Sequence, residues 1–326
     1  MNPFNKDRLF NITSDREFEE IALEIYQYQI KNNPIYFKYS QLILKGKKPK
    51  NIKEIPFLPI NFFKTHKVLA SQKKCDLIFQ SSGTSGIRSK HYVIDKKLYY
   101  KSFVKNFTNT YGSIDKLCII ALLPSYIENG NSSLTYMVNE LVKLTKNSES
   151  GFYDSNHKKI SKILSERENN NKSTILIGVT YSLLDYAQKF GRPLKNTTII
   201  ETGGMKGKRQ ELMKEEVHKV LKESFSMKYI HSEYGMTELL SQAYSLKDTI
   251  FETPKWMKIL IRDINDPLTL LANNNTGGVN IIDLANIYSC SFIATQDLGM
   301  KINDDNFKIT GRFSNSDVRG CNLLVE

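Results

Sequence analysis

Cysteine, tryptophan and long apolar runs are all scarce in this 326-residue chain, and each scarcity excludes a class of protein. Its four cysteines, Cys75, Cys118, Cys290 and Cys321, stand far apart, which rules out both a Cys-x-x-Cys metal site and a disulfide framework. The longest apolar stretches, residues 117–123 and 174–179, are strand-sized, whereas a membrane helix needs about 20 apolar residues. No basic-then-apolar leader opens the chain, since Met1-Asn2-Pro3-Phe4-Asn5-Lys6 runs into polar residues. The cytoplasm is therefore the expected compartment, with no membrane span. Internal repeats and low-complexity segments are also lacking. Lys and Arg (46) outnumber Asp and Glu (34), a net charge of +12. The excess is scattered, with only short clusters such as 45–50 and 206–209, and no helix-turn-helix, zinc finger or aromatic-basic strand accompanies it. No nucleic-acid partner is expected; the charge reads as a solvated surface that also suits ATP, CoA or an acidic partner.

What is present is an alternation of helical and strand-like segments. Residues 16–26 have helical spacing, with Ser14 as the N-cap ahead of Glu17. Residues 96–111, 132–144, 181–190 and 206–223 read as helices, and 117–123, 174–179 and 197–200 as strands. From Met257 onward the pattern turns to β, with strands over 258–262, 278–283 and 289–295. This predicts an α/β protein whose ligand loops lie at strand C-termini.

Two loops stand out. Ser81-Ser82-Gly83-Thr84-Ser85-Gly86 follows the strand-like 75–79 and carries hydroxyls and glycines with almost no bulk, as a phosphate cradle requires. It is not the NTPase P-loop, because no Gly-Lys-Ser/Thr follows, and read alone it is equally a flexible turn. His231-Ser232-Glu233-Tyr234-Gly235-Met236-Thr237-Glu238 follows the strand-like 225–230 and precedes Leu239-Leu240, placing it where a strand hands over to a helix. Tyr234 offers a flat face to a base, and Gly235 lets the chain bend past it. Glu238 is either a Mg²⁺ ligand beside phosphates or a first-turn acid that favours the helix dipole. His91 reads as a substrate-contacting residue or a surface strand residue, and His231 as a group orienting a carboxylate or a satisfied loop histidine. Trp256 reads as a packing residue.

Taken together these segments resemble the adenylate-forming superfamily of acyl-CoA synthetases, luciferases and adenylation domains. Two further matches keep the same order: Glu201-Thr202-Gly203-Gly204-Met205, and Thr295-Gln296-Asp297-Leu298-Gly299 followed by Gly311-Arg312. Residues 56–64, 203–208 and 319–324 narrow the resemblance to the acyl-protein synthetase branch, close to the phenylacetate–CoA ligases. It runs from about Pro56 to the C-terminus, with 1–55 a loosely matched helical part. The resemblance implies one domain over 1–326, the large N-terminal-type domain of that superfamily with helix-flanked sheets and a β-rich C-terminal part. It also implies that the small C-terminal lid, on the order of a hundred residues and comparable to a minimal domain, is lacking. The lid's lysine would then be missing, with Lys206 or Lys208 as substitutes.

The same resemblance implies ATP and Mg²⁺ as cofactors and a fatty acid or other small carboxylate as substrate. Ser81, Ser82, Gly83, Thr84, Ser85 and Gly86 would face the phosphates, and Gly203, Gly204, Tyr234, Gly235 and Met236 the adenine. Asp297 would hold the ribose, Thr237 and Arg312 would offset developing charge, and Glu238 would hold the metal. Ser125-Tyr126 would line the acyl pocket. Cys321, between Gly320 and Asn322, would accept the acyl group as a thioester before an acyl reductase-like partner takes it. The alternatives are a ligase passing acyl or aryl groups to CoA, a carrier protein or an amine, and a degenerate nucleotide- or acyl-binding subunit of a reductase complex.

Overall fold

The computed structural model describes residues 6–81, 87–123, 130–154, 156–203 and 213–313. Helices come first. After the single turn α1 (Lys6–Leu9), α2 (Asp15–Asn32) begins at Ser14, whose Oγ accepts the Glu17 N–H at 3.2 Å, the cap expected from the sequence. Helix α3 (Pro34–Leu44) starts with its proline in the first turn, where a missing N–H costs nothing. A short strand β1 (Leu58–Pro59) and the turn α4 (Phe62–Thr65) lead to a separate hairpin of β2 (Leu77–Gln80) and β3 (Lys90–Val93).

The middle of the chain is a parallel αβ unit. It comprises α5 (Lys96–Tyr111), β4 (Cys118–Leu122), α6 (Ser133–Leu144), β5 (Gly151–Phe152), α7 (His157–Asn169), β6 (Thr174–Val179), α8 (Thr180–Phe190), β7 (Thr197–Thr202), α9 (Lys214–Phe225) and β8 (His231–Tyr234). β4 is buried on both faces, as strands covered by helices on each side must be. Its residues alternate: Ile119 and Ala121 join the core shared with α5, α6 and the C-terminal strands. Cys118, Ile120 and Leu122 join a second core under α7, α8 and α9.

The remaining strands are β9 (Ala243–Lys247), β10 (Ile250–Glu252), β11 (Met257–Arg262), β12 (Thr276–Asp283), β13 (Phe292–Lys301) and β14 (Asn306–Arg312). All lie in one sheet of order β11-β12-β13-β14-β10-β9-β8-β7-β6-β4-β5, with β1 added in parallel to β13. Pairing is parallel from β5 to β8 and antiparallel from β8 to β11. The expected α/β class with a β-rich C-terminal part is what is found. Among the described residues, no helix is long and apolar enough to cross a membrane.

Three expectations need correction. Residues 225–230 are not a strand: Phe225 ends α9, and Ser226 takes the left-handed conformation (φ 52°) that closes it. The strand is the polar His231–Tyr234 itself, drawn into the sheet by pairing with β7. Beyond Tyr234 the chain turns into the antiparallel β9 and forms no helix, so Glu238 is no first-turn acid. Finally, the strand expected over 289–295 is β13, Phe292–Lys301, so Thr295–Gly299 lies inside it. Of the expected helix 206–223, α9 supplies the part from Lys214; residues 204–212 lie outside the described set.

Candidate active site

The change from parallel to antiparallel pairing falls at β8, and the ligand-type residues gather there. This is where α/β sheets open a crevice beyond their strand ends. Tyr234 ends β8, and its hydroxyl donates to Asp297 Oδ2 at 2.8 Å. Asp297 on β13 stands in register with Arg312 on β14, whose Nε lies 3.2 Å from Asp297 Oδ1. The Arg312 side chain is 68% exposed, so its guanidinium faces solvent while Asp297 is fixed behind it. Glu238 is buried; burial pushes its carboxyl above the usual range, while the Ser89 hydroxyl and the Arg312 charge pull it back. Sensing both Arg312 and Asp297, Glu238 belongs to the same cluster. One carboxylate beside a phosphate site fits Mg²⁺, which takes one or two carboxylates with phosphate oxygens and waters. Among the described residues, no group of three or more His, Cys, Asp or Glu side chains could hold a metal by itself.

The turn carrying Met236, Thr237 and Glu238 is pinned from several directions. Asp283, at the end of β12, accepts the Leu240 and Ser241 N–H groups at 2.7 and 3.0 Å, the Ser241 hydroxyl at 2.6 Å, and the Ala285 N–H at 3.1 Å. Asn286 Nδ2 donates to the Glu238 carbonyl at 2.7 Å. The His91 ring bridges the Thr237 carbonyl (2.8 Å) and Asn286 Oδ1 (3.0 Å). It is 1% exposed; burial, the largest influence, lowers its pKa to about 4 while the two oxygens it faces pull it back up, so it is a buried structural ring and not a surface strand residue. Sequence reasoning missed Asp283 and Asn286 altogether; the one local signal was a polar Asp…Asn pair ending an apolar strand. His231 stacks on Tyr111, its Nδ1 3.4 Å from the phenol oxygen, and Trp256 is buried with its indole N–H on Ser102 and Ser241, the packing role expected.

Ser81 bridges the β2–β3 hairpin: its N–H donates to the Ser89 carbonyl and its Oγ accepts the Ser89 N–H, both at 3.1 Å. This places the start of the Ser/Gly run beside the hydroxyl that touches Glu238. Gly203 follows β7 with φ +73°, a conformation that favours glycine. Gly235 is required for a different reason, since a Cβ there would collide with the Glu233 carboxylate. Ser82, Gly83, Thr84, Ser85, Gly86, Ser125, Tyr126, Gly204, Lys206, Lys208 and Cys321 lie outside the described residues.

A groove of about 1410 Å³ opens between the 39–66 segment and strands β11 to β13. Its floor is apolar, with Ile55, Phe57, Ile60 and Leu270 among its lining, and Lys47, Lys48, Lys50 and Lys53 also border it. Thr295, Gln296 and Phe313 line it as well, whereas Asp297 and Arg312 do not.

The architecture is that of adenylate-forming ligases. A 2-hydroxyisobutyryl-CoA ligase in complex with 2-HIB-AMP and CoA superposes with a TM-score of 0.68 at 9% identity, over 94% of this chain and 71% of that one. ATP-bound MatB from Rhodopseudomonas palustris superposes with a TM-score of 0.57 at 14% identity, over 74% of this chain. The matched part is 49% of MatB, so the likeness spans about half that enzyme's length. Within this class, the family model for acyl-protein synthetase, LuxE, matches residues 11–326, and the chain belongs to that family. The match carries the resemblance N-terminally from Pro56 to residue 11. A curated relative, the long-chain-fatty-acid–luciferin-component ligase of Vibrio harveyi, is 23% identical over 92% of this chain and 85% of its own length.

Proposed function

We propose that the chain uses ATP to activate a carboxylic acid, foremost a long-chain fatty acid, and then passes the acyl group to a protein thiol. The observation that carries this reading is the Tyr234–Asp297–Arg312 cluster with Glu238 beside it. Asp297, oriented by the Tyr234 hydroxyl, has the geometry to accept from two ribose hydroxyls. Arg312, exposed at its side, can meet the substrate's phosphate or carboxylate. The aromatic face of Tyr234 and the Gly203 turn bound the space for the base, and Ser81 leads into the run expected to hold the outer phosphates.

In the first step a carboxylate oxygen attacks the α-phosphorus and the bond to the β-phosphate oxygen breaks, releasing pyrophosphate. Arg312 and Thr237 would offset the charge that develops on the transferring phosphoryl group. Glu238 would hold Mg²⁺, which supplies charge neutralisation on the phosphates when bound. In the second step a thiolate attacks the acyl carbon and AMP leaves. Cys321 or a partner's cysteine is the acceptor, the thiol proton going to water. The apolar lining of the groove between the 39–66 segment and β11 to β13 would suit a long hydrocarbon chain. Its four lysines favour, as a second reading, an anionic acceptor such as CoA.

Carboxylate-dependent ATP–pyrophosphate exchange tests the first step, with acids graded from short to long. Exchange that strengthens with chain length supports fatty-acid activation. A preference for aryl acids would redirect the substrate, and ATP binding with no exchange would favour a non-catalytic subunit. Loss of protein-bound acyl label in Cys321→Ser, with exchange intact, would identify the acceptor.

A further inference from the structure

Two buried carboxyl groups lie directly beneath this site and take no part in the steps above. Strands β7 and β8 run parallel, with Glu201 opposite Ser232 and Thr202 opposite Glu233. Hydroxyls link the two strands at both levels: Ser232 Oγ donates to Glu201 Oε2 at 3.1 Å, and the Thr202 hydroxyl donates to Glu233 Oε2. Glu201 is further supplied by the Lys214 ammonium at 2.7 Å and by the Thr180 hydroxyl, and Ser232 Oγ lies 2.8 Å from His218 Nε2. Glu233 is 6% exposed and its other oxygen packs under Gly235. Thr202 immediately precedes Gly203, and Glu233 precedes Tyr234-Gly235. A single hydrogen bond, Thr202 to Glu233, therefore ties together the strand ends from which both glycine-bearing ligand segments emerge.

We propose that Glu233 is a positioning residue for the nucleotide: its carboxyl, joined to Thr202 and packed under Gly235, holds the Gly203 and Gly235 segments at the spacing that admits the base. The inference rests on the reading that an adenine nucleotide binds here. Burial, the largest influence, raises the Glu233 pKa to about 7, with Thr202 and Lys214 opposing and Glu201 adding to the rise. The phenols of Tyr99, Tyr111 and Tyr244 also face it. Ionisation would place a second negative charge beside Glu201, whose ammonium partner Lys214 is already engaged. The Thr202 hydrogen bond itself strengthens on ionisation, so the loosening comes from that repulsion and from water drawn to the buried carboxylate.

The test is nucleotide affinity of the full chain by calorimetry from pH 5.5 to about 8.5, a range that brackets an ordinary carboxyl far above its titration. Adenosine is used beside ATP, because its binding involves no phosphate titration. Wild-type affinity for both should fall by about tenfold across the range, a usual size for coupling between groups. Glu233→Gln keeps the hydrogen bond and cannot ionise, so its affinity should stay at the low-pH value throughout. Thr202→Val removes a donor to the carboxylate and should move the midpoint to higher pH. An unchanged inflection in Glu233→Gln, or a flat wild-type profile, overturns the proposal. Wild type that binds neither ligand at any pH would overturn the nucleotide reading as well, which sets that failure apart.

Discussion

At the rim of the crevice, Arg312 holds Asp297 with its guanidinium in solvent; in the floor beneath, Asp283, Glu201 and Glu233 are closed off from water. The rim pair contributes little to stability, because an exposed ion pair is screened and ordering its side chains costs entropy. On the proposed function its worth would lie in presenting fixed acceptors and a cation to the nucleotide. The floor groups work the other way. Each carries a desolvation penalty that its hydrogen bonds must offset, so removing a partner strands buried donors. Recognition at the rim thus depends on rigidity set in the floor, and the two layers should respond to substitution in different observables, affinity above and stability below.

The sharpest way to break that contrast is Asp283→Ala. It strands the Leu240, Ser241 and Ala285 N–H groups in the interior. Unfolding in urea should show a loss of about 3–5 kcal/mol, the range for breaking a buried polar cluster. A loss below about 1 kcal/mol would mean that the floor does not support the turn bearing Glu238. Next in size, Asp297→Ala should weaken ATP binding by about a hundredfold through loss of charge-assisted acceptors, with a stability loss of only about 1 kcal/mol from the Tyr234 hydroxyl it leaves behind. A stability loss as large as that of Asp283→Ala would erase the difference between rim and floor.

Gly235→Ala probes the junction of the two layers, since its Cβ must displace the Glu233 carboxylate. Overpacking of this kind should lower stability by about 1–3 kcal/mol and weaken nucleotide binding together. Pairing it with Glu233→Ala, which clears the space, should restore much of the stability but not the affinity.

The pH dependence of stability carries a definite sign. Burial raises Asp283 to about 6 and Glu233 to about 7, above unfolded values near 4. Their contribution is complete below pH ~4 and is lost as pH rises through 6 and 7, by about 1–3 kcal/mol per group. His91 and His218, lowered to about 4 by burial, act oppositely: their contribution is present above pH ~6.5 and is lost as pH falls toward 4. Glu233→Gln should flatten the decline between pH 5 and 8 in a urea series while leaving the acid limb unchanged.

Asp297 and Arg312 were singled out by resemblance to a known family and the Tyr234–Glu238 turn by its own composition as well, and the fold brings them together. Their supports were not legible in the sequence, because those depend on contacts across the fold. Asp283 meets Leu240 from 43 residues away, and His91 meets Thr237 from 146. Glu233 was in plain view inside the motif, yet its role rests on pairing with Thr202, which only the β7–β8 register reveals. The misplacement of β8 has a similar origin. The apolar 225–230 run looked more strand-like than polar His231–Tyr234, but tertiary pairing decided the matter over local propensity. The α/β pattern itself was readable, since β4, β6 and β7 are apolar runs between amphipathic helices.

The smallest effect reaches the floor from its far side. Trp256 Nε1 donates to Ser241 Oγ at 2.9 Å, and that hydroxyl donates in turn to Asp283 Oδ1, so the indole stands at the end of the chain that fixes the Leu239–Ser241 segment. Trp256→Phe keeps most of the ring's packing against Phe10, at 4.9 Å between centroids, while deleting the N–H. The expected cost is about 1–2 kcal/mol, from one net hydrogen bond and the smaller ring. If Ser241→Ala is made as well, the double variant should lose less than the sum, since both changes cut the same chain. Strict additivity would mean that the indole only fills space, and that the polar chain into the floor begins at Ser241.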